Sequence, residues 1–166
     1  MTDVENAQYD PSASVRVQGK QGLFAGETAR ILIGQALVVG RSRMCDLSVA
    51  RSGECQRMGR DALERHKSYR KISRKHLRIC LVDADHLEIE DLSTNGTAVN
   101  GFRVDRVRLD LRNRGDAILV EFGEGELLEV RPAGPLDPDS DEARRIQSAS
   151  RRSEDVPSGY DHSPVP

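Results

Sequence analysis

Residues 72–76 read Ile-Ser-Arg-Lys-His, residues 91–101 read Asp-Leu-Ser-Thr-Asn-Gly-Thr-Ala-Val-Asn-Gly, and residues 38–41 read Val-Val-Gly-Arg. Each stretch borders a hydrophobic run with the length and alternation of a β-strand. A guanidinium, several short hydroxyl and amide side chains, and turn-forming glycines are therefore placed in three loops between strands. Such donors, clustered at one end of a β-sandwich, are suited to a phosphate monoester carried by an extended peptide.

Short β-rich runs separated by turn residues extend over 14–131. In the run 76–82 the odd-numbered positions are leucine or isoleucine, which is the alternation of a strand with one buried face. Asn100 and Gly101 lie between two apolar runs and predict a type I′ hairpin turn, because that turn needs positive φ at both central residues. The whole pattern predicts an all-β fold, a sandwich of two antiparallel sheets.

Composition divides the 166 residues into one domain with two tails. Residues 1–13 have no periodicity, and we interpret them as a flexible N-terminal arm before a domain at 14–131. The segment 132–166 holds six of the seven prolines together with many serines and acidic residues. Because it has few branched apolar or aromatic side chains to bury, we predict that it is a disordered tail.

Several classes of protein do not fit the sequence. No apolar run approaches the length that crosses a bilayer, and the N-terminus lacks the basic and apolar sections of a signal peptide, so we expect a cytoplasmic protein without membrane contact. Cys45, Cys55 and Cys80 form no Cys-x-x-Cys pair, which argues against a disulfide framework and a zinc site. The acidic residues in 83–91 lack the spacing of a calcium loop. We expect neither a metal nor a cofactor.

The order Gly-Arg at 40–41, Ser-x-x-His at 73–76 and Asn-Gly-Thr-x-x-Asn-Gly at 95–101 resembles the motifs of the forkhead-associated (FHA) domain, a module that binds phosphothreonine peptides. The resemblance covers about 15–131 and implies a β-sandwich of the FHA type. It also implies a non-enzymatic protein that recognises phosphothreonine in a partner, a Ser/Thr kinase or its substrate, and recruits that partner in kinase signalling.

The resemblance assigns roles to individual residues. Four of them match the family's phosphopeptide contacts and a fifth occupies a position where variable cations are found: Arg41, Ser73, Thr94, Asn95 and, as the cation, Arg74. For a second, structural set, the resemblance implies that the histidine braces its loop, and we interpret the glycines as backbone requirements of tight turns: Gly40, His76, Gly96 and Asn100.

The chemistry of the first set suits a phosphothreonine, which carries about −1.5 to −2 charge and three acceptor oxygens. The Arg41 fork can make two parallel charge-assisted bonds, each worth about 1.5–3 kcal/mol. Ser73 offers its hydroxyl and its backbone amide, and Thr94 can do the same. Asn95 has both a donor and an acceptor with which to hold a peptide backbone. A catalytic pairing of Ser73 with His76 is not expected, because residues three apart in a strand face opposite sides.

One interval departs from the family. Arg41 and Ser73 lie 32 positions apart, which is more than in most FHA domains, and the surplus is about 52–70. Good helix formers there, with Asp61 and Arg65 four apart, fit either a short surface helix or a mobile loop and favour the helix. We expect this insertion to lie on the surface and to add little apolar area to the core.

The insertion also belongs to a basic segment. Residues 51–75 contain nine lysines and arginines against three acidic residues, although the whole chain has a net charge of −2. This excess predicts an anionic partner that is attracted locally. An alternative function is therefore polyanion or nucleic-acid binding through 51–75. We do not favour nucleic acid, because Tyr69 is the only aromatic residue in the segment and no nucleic-acid module is recognised.

Overall fold

The computed structural model describes residues 10–112 and 116–145. Within these residues the chain forms eleven strands, one 3₁₀ turn and three short helices before Gly134. The strands are β1 (Asp10–Gln21), β2 (Thr28–Ile33), β3 (Ala36–Gly40), β4 (Leu47–Ser48), β5 (Leu77–Asp83), β6 (His86–Asp91), β7 (Thr97–Val99), β8 (Phe102–Val104), β9 (Arg106–Asp110), β10 (Ile118–Phe122) and β11 (Glu126–Pro132). The 3₁₀ turn is Gly22–Phe24, and the helices are α1 (Gly53–Met58), α2 (Arg60–Glu64) and α3 (Lys67–Lys71).

The strands form two sheets that pack as a sandwich. One has six strands in the order β2-β1-β11-β10-β7-β8, and the other has five in the order β4-β3-β5-β6-β9. Neighbouring strands in these two orders are antiparallel, except that β4 runs parallel to β3. The predicted fold, a two-sheet β-sandwich, is confirmed, with the short parallel pair as a local departure.

Alternating side chains from the two sheets make the core. Leu77 and Ile79 of β5 are fully buried, as are Ile118 and Val120 of β10, while the residues between them face outward. Burying each such side chain contributes about 1.5–3 kcal/mol. The alternation that the sequence shows at 76–82 therefore does mark a strand with one buried face.

The predicted hairpin turn lies between β7 and β8. Asn100 has φ of 50° and Gly101 has φ of 87°, as a type I′ turn requires. Asn100 also ties the hairpin to β10, because its Oδ1 accepts from the Leu119 amide at 2.9 Å and its amide donates to the Leu119 carbonyl at 2.8 Å. A left-handed asparagine and two cross-strand hydrogen bonds fix the position of this hairpin.

The domain extends slightly beyond the predicted bounds of 14–131. β1 begins at Asp10, which pairs with Ile33 across an irregular register, and the rest of the predicted arm lies outside the described residues. At the other end, Ala133 donates its amide to the Ser14 carbonyl at 2.8 Å, and the Ser14 hydroxyl donates to the Gly134 carbonyl at 2.6 Å. These backbone partners hold 132–134 against β1, which composition alone did not indicate.

The chain divides after Gly134 into a second unit, Pro135–Pro166. In its described part, residues 141–145 are helical, and the Ser140 hydroxyl accepts from the Ala143 amide at 3.1 Å as an N-cap. No helix is predicted in this segment from its composition. The remainder of the predicted disordered tail, 146–166, lies outside the described residues.

The insertion consists of three helical turns and not of one helix. The Ser52 hydroxyl caps α1 by accepting from the Cys55 amide at 3.1 Å, and Gly59, with φ of 85°, separates α1 from α2. The His66 Nδ1 caps α3 by accepting from the Ser68 amide at 3.1 Å. A short helix in the insertion is therefore confirmed, although two breaks divide it.

The expectation that the insertion adds little to the core is wrong. Leu63 is only 4% exposed, and Cys55, Met58 and Tyr69 pack partly buried against the core. Ile72, which directly follows α3, is 1% exposed. Three short amphipathic turns place their few apolar residues on one side, which a search for a continuous helical stripe does not detect.

A buried carboxyl group fixes the insertion to the sandwich. Glu126 is 1% exposed and accepts from the Leu23 amide at 2.8 Å, the Phe24 amide at 3.1 Å and the Ser68 hydroxyl at 2.7 Å. The 3₁₀ turn, α3 and the start of β11 are thereby joined at one side chain. A buried acceptor with three donors is a strong constraint, because each donor left without it is desolvated and unpaired.

We predict that Glu126→Gln lowers the free energy of unfolding by about 1–3 kcal/mol, because glutamine keeps one acceptor oxygen and turns its NH₂ toward the Leu23 or the Phe24 backbone amide, which can only donate. Urea unfolding at neutral pH measures the change. Glu124→Gln, which alters a surface pair with Lys71, is the control and should shift stability by no more than about 0.5 kcal/mol. Equal stability of the Glu126 variant and the wild type would contradict the role given to this carboxyl group.

Candidate functional site

Backbone hydrogen bonds bring the three predicted loops together at one end of the sandwich. The Arg41 amide donates to the Ser73 carbonyl at 3.0 Å, which joins the first loop to the second. The Thr94 amide donates to the Ser73 hydroxyl oxygen at 3.1 Å, which joins the second to the third. Arg41, Ser73 and Thr94 thus occupy one continuous surface, as the motif order requires.

Two arginines line an open concavity of about 410 Å3. Its walls are Arg41, Ser42, Tyr69 and Arg74, and the Arg41 Cζ lies 5.3 Å from the centroid of the Tyr69 ring. Among the described residues, neither arginine forms an ion pair, whereas other arginines of the chain, such as Arg106, pair with carboxylates. The concavity therefore presents two cations that have no carboxylate partner within 10–112 and 116–145.

Gly40 allows a close approach of the loops and does not form a turn. It is the last residue of β3, and a β-carbon there would overlap the Arg74 carbonyl. That carbonyl accepts from the Ser42 amide at 3.1 Å and from the Cys45 Sγ at 2.9 Å. The predicted turn role of Gly40 is therefore corrected: the missing side chain makes room for the backbone of Arg74. Burial raises the pKa of the Cys45 thiol, consistent with a neutral hydrogen-bond donor.

Ser73 and Thr94 differ in which of their hydrogen-bonding groups are already engaged. The Ser73 amide donates to the His76 Nδ1 at 3.0 Å, so this amide is occupied, which corrects the expectation that Ser73 offers both its amide and its hydroxyl. Its hydroxyl oxygen accepts from Thr94, and the O–H remains able to donate. The Thr94 side chain is exposed. Two hydroxyl groups are thus placed in the loops that are hydrogen-bonded to the Arg41 loop.

His76 is fully buried and braces two loops. Its Nδ1 accepts from the Ser73 amide, so the ring proton is on Nε2, which donates to the Gly96 carbonyl at 2.9 Å. The ring packs against Phe122 with centroids 5.0 Å apart. Burial lowers the pKa of His76, with weaker opposing effects from the Gly96 bond and from Asp91. The neutral imidazole therefore holds the second and third loops in register.

Asn95 is exposed, and its side chain is already oriented. Its Nδ2 donates to the Lys71 carbonyl at 3.0 Å, and its backbone carbonyl accepts from the Arg103 guanidinium at 2.8 Å. Arg103 also covers Gly96, whose φ of 101° favours glycine. One amide N–H and the side-chain oxygen of Asn95 remain for a ligand.

The Asp91 carboxylate holds the same loop from inside. Its Oδ1 accepts from the Ser93 hydroxyl at 2.6 Å and from the Thr97 hydroxyl at 2.8 Å. The Ser93 oxygen in turn accepts from the Gly96 amide at 2.7 Å. This chain of bonds explains why serine and threonine flank Thr94 and Asn95: they shape the loop and leave those two side chains to point outward.

Three residues of the site were missed by sequence reasoning: Tyr69, Lys71 and Arg103. Tyr69 is the only aromatic residue of the basic segment, which was the one signal available. Lys71 acts through its backbone carbonyl, which no sequence pattern can show. Arg103 is one arginine among many, and its contact depends on the hairpin that carries it.

Other kinds of site are not seen in the described part of the chain. No group of three or more histidine, cysteine or acidic side chains there could hold a metal ion. No helix within 10–112 and 116–145 has both the length and the apolar character to cross a bilayer.

The chain belongs to the FHA domain family, whose sequence profile matches residues 37–119, half of the 166 residues. The matched region contains all three loops described above. It does not include β1, β2 and β11, which the structure nevertheless places in the six-stranded sheet.

Several relatives support this membership. The serine/threonine-protein kinase RAD53 of Saccharomyces cerevisiae is 38% identical over 61 residues, which is 36% of this chain and only 7% of the kinase. A domain from a study of phosphothreonine-dependent FHA domain interactions is 26% identical, with a TM-score of 0.50, and covers 74% of this chain and 99% of its own. The FHA domain of an Arabidopsis thaliana hypothetical protein is 25% identical, with a TM-score of 0.53 and coverage of 80% and 94%.

Acidification should loosen the two loops that His76 joins. The pKa of His76 is lowered in the folded state, whereas a histidine in the unfolded chain has a pKa of about 6.5. Below about pH 6.5 the unfolded state thus binds more protons, and stability falls as pH decreases until the folded pKa is passed. We expect the free energy of unfolding to decrease between pH 7.5 and pH 5, as measured by urea unfolding at each pH.

His76→Asn is the matched variant for this prediction. It should be less stable than the wild type at pH 7.5 but should lose less stability on acidification, because the other three histidines are present in both proteins. Parallel curves for the two proteins over this interval would show that His76 is not the group responsible.

Proposed function

We propose that this chain is a non-enzymatic reader that binds phosphothreonine in an extended segment of a partner protein. The phosphate would enter the concavity between Arg41 and Arg74, and the hydroxyl groups of Ser73 and Thr94 would donate to its oxygens. Asn95 would hold the peptide backbone beside it. In this function the protein recruits the phosphorylated partner, a Ser/Thr kinase or its substrate.

The observation that carries the proposal is the pair of arginines in one open concavity, neither of which pairs with a carboxylate in the described part of the chain. A buried or paired arginine stabilises a fold, but an arginine without a carboxylate partner beside free hydroxyl donors suits an incoming anion. Arg41 can bind a phosphate through two parallel N–H groups, and Arg74 adds a second positive charge. Membership of the FHA family and the phosphothreonine-dependent interactions named for the 26% identical relative favour a phosphothreonine as that anion.

The geometry of Ser73 and His76 supports a binding role without catalysis. A histidine that activates a serine must accept the proton of the serine hydroxyl. Here both ring nitrogens of His76 are occupied by backbone groups, and Nδ1 faces the Ser73 amide and not its hydroxyl. His76 is also fully buried, so no substrate reaches it.

The kinase context of the proposal comes from the likeness to RAD53, a serine/threonine-protein kinase. The alignment spans a small part of that kinase, so only the recruitment step is proposed for this chain. The competing function, polyanion binding through 51–75, is weakened by the structure. Lys71 pairs with Glu124, which lies outside this segment, so the excess positive charge available to a polyanion is reduced. Arg57 and Arg60 pair with glutamates inside the segment.

Arg41→Ala should weaken binding of a phosphothreonine peptide at least about tenfold, because a bidentate charge-assisted contact is lost. The peptide is selected beforehand from a phosphothreonine library with randomised flanking positions, and calorimetry measures its affinity. Arg41→Lys should restore only part of the binding, since an ammonium group cannot reproduce the planar fork.

Arg106→Ala is the control for this experiment. Arg106 is exposed on the five-stranded sheet and pairs with Glu88 at 2.8 Å, so its loss should leave peptide affinity unchanged. An Arg41→Ala protein that is folded and binds as tightly as the wild type would overturn the proposed function. Equal losses in both variants would instead indicate binding to total charge.

Matched peptides that differ only in phosphothreonine or phosphoserine should bind with affinities that differ about fourfold or more, because burying one methyl group is worth about 0.8 kcal/mol. Fluorescence anisotropy at two salt concentrations measures both peptides and the unphosphorylated control. Equal affinities combined with a steep fall in binding at high salt would favour the polyanion function over the proposed one.

A further inference from the structure

The last helix of the insertion contacts two of the side chains proposed to bind the phosphopeptide. The Tyr69 ring lies against the Arg41 guanidinium, with 5.3 Å between Cζ and the ring centroid. Two residues later, the Lys71 carbonyl accepts from the Asn95 Nδ2 at 3.0 Å. α3 therefore touches the first loop and the third loop of the site at once.

α3 is itself firmly attached to the sandwich. Its Ser68 hydroxyl is fully buried, donates to Glu126 at 2.7 Å and accepts from the Glu124 amide at 3.3 Å. The Lys71 ammonium pairs with the Glu124 carboxylate at 3.1 Å. Ile72, at the end of the helix, is buried in the core. Because these anchors hold α3 to the β10–β11 turn, Tyr69 and the Lys71 carbonyl are fixed surfaces and not mobile ones.

The contact between Tyr69 and Arg41 restrains the arginine without neutralising its charge. The guanidinium carbon lies over the tyrosine ring, which offers the negative face of its π-system and no carboxylate. An aromatic ring can therefore restrain the side chain while its positive charge stays available to an anion. Arginine is among the side chains that lose the most rotamer freedom on binding, so restraint before binding lowers that cost.

We propose that α3, through Tyr69, is a positioning element of the phosphopeptide site: it holds the Arg41 guanidinium in the binding orientation while the Lys71 carbonyl orients the Asn95 amide. This inference rests on the proposed function. The insertion, which lengthens the usual family spacing between Arg41 and Ser73, is then a part of the binding site. Tyr69 is a positioning residue because it acts through Arg41.

A double-mutant cycle tests the proposal. Tyr69→Leu should weaken binding of the library-selected phosphothreonine peptide about two- to fivefold, and Tyr69→Phe, which keeps the ring, should bind as the wild type does. In the Arg41→Ala background, Tyr69→Leu should have no further effect, because the residue through which it acts is absent. Calorimetry of the four proteins supplies the cycle.

A measurement on the free protein does not depend on binding. In the NMR spectrum of the wild type, the Arg41 Nε–H proton should show an upfield ring-current shift, which Tyr69→Phe retains and Tyr69→Leu removes. This spectrum tests the contact even if Tyr69→Leu fails to fold, since the wild type and the phenylalanine variant remain comparable. Absence of the shift in the wild type would overturn the positioning of Arg41.

The outcomes of the cycle distinguish failure of the positioning role from failure of the proposed function. If Arg41→Ala weakens binding but Tyr69→Leu leaves it unchanged or raises it, the positioning role is wrong and the proposed function stands. If Tyr69→Leu costs the same in both backgrounds, Tyr69 contacts the peptide or the fold directly, which also overturns the role. If Arg41→Ala itself binds normally, the proposed function fails, and with it the inference.

Discussion

The buried carboxyl group of Glu126 is the constraint on which the architecture of the site depends. It lies at the start of β11 and accepts from the backbone of the 3₁₀ turn and from the Ser68 hydroxyl of α3. Without it, the two amides and the Ser68 O–H would be buried donors without an acceptor. Because α3 contacts both Arg41 and Asn95, a hydrogen-bond acceptor in the core is connected, through one helix, to the surface that we propose binds the ligand.

A second buried group, the neutral imidazole of His76, sets the distance between the loops. One ring nitrogen fixes the second loop at Ser73, and the other fixes the third loop at Gly96. The half-buried Ser73 hydroxyl and the exposed side chains of Thr94 and Asn95 are therefore positioned by buried groups. The site combines accessible donors with buried residues that set the positions of its loops.

The sequence predicted the fold and the loops well because both rest on local signals. Alternation marked β5 and β6, and the Asn100–Gly101 turn followed from the φ angles that a type I′ turn demands. The misses have a common physical origin. The apolar residues of the insertion are spread over three helical turns broken at Gly59 and His66, so no helical period reveals their burial. Residue types also do not reveal contacts made by the backbone. Examples are the Lys71 carbonyl, which accepts from Asn95, and the Ser73 amide, which donates to His76.

The position of the insertion explains how an FHA domain can accommodate it next to the proposed binding site. It lies between Arg41 and Ser73, two residues whose backbones are hydrogen-bonded to each other, and its last helix, α3, contacts the site. Leu63 and Ser68 hold the segment to the sandwich, because their burial offsets the small entropic cost of a longer closed loop. Deleting 52–70 would remove both the Ser68 hydroxyl, which donates to Glu126, and the Tyr69 ring, which contacts Arg41. Single substitutions are therefore needed to separate the contribution of the insertion to stability from its contribution to binding.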